Sequence, residues 1–283
     1  MSCNMPFHTH LPKRMCSTAI LGIVITLLAA APARTALLFT ENFNYTVGSN
    51  LSGLNGGTGF SGAWTGGDST IVAGLGGTGN AVQVGTSGTR SLSSTFSTSG
   101  NSYYISYLMR VSDFSGGQYT GLSLFDGGTE QMFFGIPWQR ENFGFDAHAG
   151  VSGDIKTINF TPSTNTTYLI TLGLLPSTTP GKVDVKMWAT NNLGVDPDAF
   201  VGGAPNASLL GVKDNFSFNT LRLGGDYAGN LKLAGVANAP TAAEAINFST
   251  QSGESVPEPG TWVAAALLAG GAAFARWRRR LAK

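Results

Sequence analysis

Cysteine, histidine and charge are all scarce in this chain of 283 residues. Its two cysteines, Cys3 and Cys16, fall within the first 36 residues, beside His8 and His10, and the remaining histidine is His148. A body without cysteine has no disulfide framework, thiolate zinc site or cysteine nucleophile. A Ser-His-Asp triad would have to use His148, and no G-x-S-x-G elbow surrounds any serine. Charged residues are 12% of the chain, about half the usual share. Residues 37–255 carry nine basic and fifteen acidic side chains. A mildly acidic body lacks the clustered Lys and Arg that neutralise phosphates, so nucleic acid is excluded as a partner. There is no Gly-X-Y period, which excludes collagen, and no fixed repeat, which disfavours a propeller or solenoid.

What is present is glycine, 39 residues, about twice the usual share. Hydrophobic residues reach 42%, enough for a packed core. The cations gather at the two ends. Lys13 and Arg14 precede a small, apolar stretch over residues 17–31, and Ala31-Pro32-Ala33 offers small residues for cleavage. Residues 1–36 therefore read as an export signal helix, to be removed. At the other end, Val256-Pro257-Glu258-Pro259-Gly260-Thr261 leads into an apolar run over residues 262–275, then Arg276, Arg278, Arg279 and Arg280. Fourteen helical residues reach ~21 Å, short for a bilayer core of ~30 Å. Trp262 and Trp277 mark the edges of this short transmembrane helix. Cations at both ends hold both termini inside and place the body outside.

The last 28 residues resemble the PEP-CTERM sorting signal: a Pro-Glu-Pro motif, a short hydrophobic helix and an arginine cluster. The resemblance implies recognition by an exosortase, a membrane-embedded transpeptidase that removes the tail. It also implies transient residence in the inner membrane and delivery to the cell surface or an extracellular polysaccharide matrix. Pro257, Glu258, Pro259, Arg276, Arg278, Arg279 and Arg280 are then features read by another enzyme.

Between the ends, residues 37–255 show strand patterns over nearly their full length. Residues 103–111 are rich in β-formers, with Ile105, Tyr107, Met109 and Val111 on one face. Residues 182–188 alternate: Val183, Val185 and Met187 point inward while Lys182, Asp184 and Lys186 face water. Trp188 shares the parity of those charged residues, which places it on the solvent face. Further strands are expected over residues 81–84, 120–125, 132–136, 155–160, 168–175 and 216–223, separated by turns such as Asp126-Gly127-Gly128. A short helix is expected over 241–247. Short strands at this spacing predict an all-β fold, an antiparallel jelly-roll sandwich in one domain.

Leu38-Phe39-Thr40-Glu41-Asn42-Phe43-Asn44-Tyr45, then Trp64, Gly121-Leu122-Ser123-Leu124-Phe125-Asp126-Gly127-Gly128 and the 168–175 and 183–188 strands are similar to concanavalin A/LamG-like jelly rolls. The resemblance implies a surface or matrix protein that binds polysaccharide. Relatives close with an Asp-Asn-Leu-Arg-Leu-like strand. Gly229-Asn230-Leu231-Lys232-Leu233 stands here, and its missing acid weakens an inherited ion or sugar site.

Catalysis by a retaining glycosidase needs two carboxyl groups ~5–5.5 Å apart. The chain has no E-x-D-x-x-E run, and Glu41, Glu130, Glu141, Glu244 and Glu254 read as isolated or in turns. No catalytic residue and no cofactor is assigned, and the enzyme alternative is a degenerate glycoside hydrolase or polysaccharide lyase. Asp196-Pro197-Asp198 and the 126–130 turn offer oxygen ligands to a structural calcium. Turn and loop chemistry accounts for the same acids without a metal. The candidate glycan contacts are Trp138, Arg140, Asp146 and His148, an aromatic with polar neighbours. A core position for Trp138 and a surface-loop role for His148 are the alternatives.

Overall fold

The computed structural model describes residues 36–237 apart from 77, 78, 113, 115–118, 152 and 226, and of 36, 197 and 227–237 the backbone alone. The expected signal segment over 1–35, the helix over 241–247 and the sorting segment from Pro257 to the arginine cluster lie outside the described residues.

Two antiparallel sheets face each other, the jelly-roll sandwich that the alternating pattern predicts. Among the described residues, the first has eight strands. It runs from β12 (Ala207–Asp214) through β11 (Lys182–Thr190), β10 (Thr167–Pro176), β5 (Asn101–Arg110) and β14 (Tyr227–Ala237) to β3 (Ala81–Gln83) and β2 (Thr70–Val72). β1 (Ala36–Glu41) also pairs with β14. The second sheet has six strands among the described residues. Its order is β4 (Ser87–Ser97), β13 (Ser217–Gly224), β6 (Thr120–Asp126), β7 (Thr129–Ile136), β8 (Gly144–Asp146) and β9 (Ile155–Thr157). Gly127-Gly128 close the β6–β7 hairpin between the paired Asp126 and Thr129. Gly127, at φ 57°, supplies the left-handed step such a tight turn needs.

The core lies between the sheets. Ile105, Tyr107 and Met109 of β5 meet Leu122, Leu124, Met132 and Phe134 of the facing sheet. Val183, Val185 and Met187 of β11 join the same cluster, as their alternation requires.

Trp188 departs from expectation. Its parity does turn it away from this core, but it is only 3% exposed. It sits in a second apolar cluster with Tyr104, Leu108 and Leu169 on the outward face of the eight-stranded sheet. Phe200 and Val201 of a short helix, α1 (Pro197–Gly202), pack on that cluster with Leu193 and Val195. The indole N–H donates to the Gly203 carbonyl at 3.2 Å. Alternation distinguishes the two faces of a strand, but it does not say whether the second face is covered.

Glu41, read from sequence as isolated, is instead buried in an ion pair joining the two sheets. Its Oε2 accepts from Arg90 Nη1 of β4 at 2.6 Å, Tyr45 Oη at 2.8 Å and Trp64 Nε1 at 3.1 Å. Its Oε1 accepts from the Phe43 amide at 2.9 Å. Arg90 donates further to the Gly62 carbonyl at 2.7 Å and to Asn55 Oδ1 at 2.8 Å, with its guanidinium 3.9 Å from the Phe60 ring centroid. Both side chains are 1% exposed. The pair pins the long β1–β2 connection with its charges satisfied, so its role is structural.

Candidate functional site

The outward face of the six-stranded sheet carries two adjacent rows of residues that sequence spacing could not bring together. Cross-strand partners share a face. The first row pairs Arg222 with Ser123, Ser123 with Phe133, and Phe133 with Asp146. Two residues along each strand lies the second row, Gly224, Gly121, Gly135 and Gly144, also registered partner to partner. This glycine row makes room for an aromatic ring. A Cβ on Gly121 would lie 3.0 Å from Phe133 Cζ. Phe133 is only 1% exposed although it faces away from the core.

An aromatic ladder climbs outward from Phe133. Tyr119 meets it edge-on, centroids 5.0 Å apart. Trp138 stacks on Tyr119 at 5.7 Å and 28°. Tyr119 and Trp138 are 40% and 47% exposed, so the core position is excluded for Trp138. Trp138 is held at the end of β7 by a turn in which the Arg140 amide donates to the Pro137 carbonyl at 3.1 Å. Gln139 within that turn has φ 57°, an uncommon value for a side chain with a Cβ.

A polar cluster flanks the ladder. Arg222 Nη2 donates to Glu130 Oε1 at 2.9 Å and to Ser123 Oγ at 3.3 Å. Its guanidinium lies 4.7 Å from the Phe125 centroid. His148 stands between two carboxylates, with Nδ1 3.4 Å from Asp146 Oδ1 and Nε2 3.8 Å from Glu130 Oε2. Burial pushes the Tyr119 hydroxyl above its ordinary value; Asp146 and Glu130 add to the rise and Arg222 opposes it. The tyrosine thus feels the same carboxylates that hold His148.

Of the four residues expected to contact glycan, Asp146 and His148 sit together, and Trp138 reaches their cluster through Tyr119 and Phe133. Arg140 lies in the Trp138 turn, its side chain exposed. Tyr119, Phe133, Glu130 and Arg222 were not found from the sequence. Glu130 lies at a hairpin, as its turn position suggested, but it is ion-paired rather than isolated. Of the loop acids expected to suit calcium, Asp196 Oδ1 caps α1 by accepting from the Ala199 amide at 2.8 Å, and Asp126 Oδ1 accepts from Asn219 Nδ2 at 3.4 Å. No group of three or more His, Cys, Asp or Glu among the described residues is arranged to hold a metal ion.

No family model matches the chain, and no curated protein matches it. Solved structures do. A protein of unknown function from Shewanella oneidensis MR-1 is 14% identical with a TM-score of 0.43, covering 82% of this chain and 99% of that one. Domain 4 of a GH43 extracellular arabinanase from Geobacillus stearothermophilus, in complex with arabinotriose, is 14% identical with a TM-score of 0.43, covering 76% and 98%. A lectin from Bauhinia forficata in complex with GalNAc is 12% identical with a TM-score of 0.38, covering 72% and 100%. These are likenesses of architecture at low identity, and none gives a residue here a role.

Proposed function

We propose that this is an exported, non-catalytic protein of the bacterial envelope or extracellular matrix that binds polysaccharide through the outward face of its six-stranded sheet. The observation that carries the reading is the exposed Trp138 ring stacked on Tyr119 beside the Arg222–Glu130–His148–Asp146 cluster. A flat indole offers an apolar platform to the C–H face of a sugar ring, and the flanking side chains offer donors and acceptors to its hydroxyls. Arg222, the cluster's one fixed cation, is already paired with Glu130, so the cluster offers no spare cation to an acidic sugar and suits a hydroxyl-rich neutral chain. A glycan array probed with the purified protein tests this. Binding to neutral glycans that is lost in Trp138→Ala is expected, and uniformly blank spots would reject the role.

The localisation is proposed from the two termini: a cleaved signal over 1–36, a body over 37–255 and an exosortase-read tail over 256–283. Replacing Arg278, Arg279 and Arg280 by Ala should leave the tail attached when processing is followed by mass; normal tail removal would count against sorting. A glycoside hydrolase or lyase is the second reading, favoured by His148 between two carboxylates. It predicts release of new reducing ends from a bound polysaccharide, abolished in His148→Ala.

A further inference from the structure

Lys213 is 6% exposed although it belongs to β12, the edge strand of the eight-stranded sheet among the described residues. Its direction follows from its register with β11, which a bulge leaves in phase. Between the registered pairs Val183–Lys213 and Val185–Leu209, β11 has one residue and β12 has three. Gly211 turns the bulge at φ 67°, and its amide donates to Asp184 Oδ1 at 2.8 Å. Two extra residues keep the alternation in phase, so Lys213 faces inward with its partner Val183. Its ammonium lies 5.0 Å from the Phe216 centroid and donates to the His148 carbonyl at 3.4 Å. Burial pulls the ammonium below the usual lysine range, while Asp214, Asp146 and Asp154 act against that shift.

The acceptor is what makes this contact informative. His148 has φ 44°, and a residue with a Cβ keeps such a conformation when its surroundings over-determine it. On the amide side, His148 N donates to Asp146 Oδ1 at 2.9 Å and Ala149 N to Asp154 Oδ2 at 3.1 Å. On the carbonyl side stands Lys213, reaching over from the opposite sheet.

We propose that Lys213 is a positioning residue for the candidate site, clamping the His148 loop so that the imidazole stays between Glu130 and Asp146. The binding consequence rests on the glycan reading; the clamp itself does not. An inward cation on an edge strand also discourages edge-to-edge pairing, and the two roles make different predictions.

Lys213→Met and Lys213→Arg, made in the full chain, separate them. The Met variant should stay folded and melt within a few degrees of wild type, because losing the hydrogen bond is offset by relief of the cost of burying an ammonium. Its His148 and Ala149 amides should exchange about tenfold faster, and its binding of cellohexaose should weaken about tenfold, as for one lost charge-assisted hydrogen bond. The Arg variant keeps a cation and should hold exchange within about threefold of wild type. Wild-type amide exchange in the Met variant, or self-association as its sole defect, would overturn the clamp in favour of edge protection. If the wild-type protein itself ignores cellohexaose, only the glycan reading is lost, since exchange is measured without ligand.

Discussion

Two charged or aromatic side chains, Trp138 and Arg90, show how differently one substitution acts at the residue scale. Trp138 is 47% exposed and packs on a tyrosine that is itself 40% exposed. Trp138→Ala should change unfolding free energy by no more than about 0.5 kcal/mol while weakening glycan binding at least about tenfold, as removal of an aromatic anchor does. Calorimetric titration beside a urea melt checks both; a large stability loss would make the ring structural. Arg90 is the opposite case. Arg90→Met leaves the Glu41 carboxylate buried without its cation, a loss of about 3–5 kcal/mol. Adding Glu41→Gln should restore part of that loss, because the stranded charge is gone and Tyr45 and Trp64 can still donate to the amide oxygen, while the Phe43 amide loses its acceptor. A double variant no more stable than Arg90→Met alone would mean that the ion pair, rather than the stranded carboxylate, sets the cost.

At the scale of elements, the six-stranded sheet is shaped around its glycine row. Gly135 has φ 145°, and a Cβ there would lie 2.2 Å from the Thr120 carbonyl oxygen. Gly135→Ala should therefore cost about 2 kcal/mol or more through backbone strain and also weaken binding, because β6 and β7 must part beneath Phe133. Full binding in a destabilised Gly135→Ala protein would detach the ladder from the row. The sequence carried the strands well where alternation was long. Residues 103–111 and 182–188 gave both the strand and its inward face. It carried the β6–β7 hairpin through Asp126-Gly127-Gly128. Three-residue strands such as β8 and β2 are too short to show a period, and α1 was missed because its stop and start signals, Asp196-Pro197, also read as loop chemistry. The site was only half legible. Trp138, Asp146 and His148 stand close in sequence, so their types and nearness drew attention. Tyr119, Glu130 and Arg222 join them through strand register, a long-range property that no local spacing encodes. Lys213 was hidden further, because β12 itself was not among the expected strands, and without its register to β11 the inward parity of Lys213 cannot be read.

At the scale of the whole molecule, the buried tyrosines set how the fold responds to alkali. Burial raises the hydroxyls of Tyr107, Tyr103 and Tyr104, and Tyr45 is pushed up to about 12 by burial and by Glu41. Tyr107 is fully buried and donates to the Phe134 carbonyl at 3.0 Å. In the unfolded chain these groups ionise near their ordinary value of about 10. A folded value above the unfolded one contributes stability that is fully present below pH 10. That stability is lost as pH rises toward and through the folded values. Lys213 acts with the opposite sign. Its folded value is lowered, so the unfolded chain binds the extra proton, and stability rises with pH between the folded value and 10.5. The tyrosines outnumber it and act above pH 10, so the net expectation is a flat stability through neutral pH and a steep fall from pH 10 toward 12. Each fully protected tyrosine contributes a slope of about 1.4 kcal/mol per pH unit there. Tyr107→Phe should lose about 1 kcal/mol at pH 8, for the hydrogen bond, yet fall less steeply above pH 10 than the wild type. Urea midpoints at pH 8, 10 and 11 check this. Parallel losses in the two proteins would mean that Tyr107 is not among the groups that the fold holds protonated.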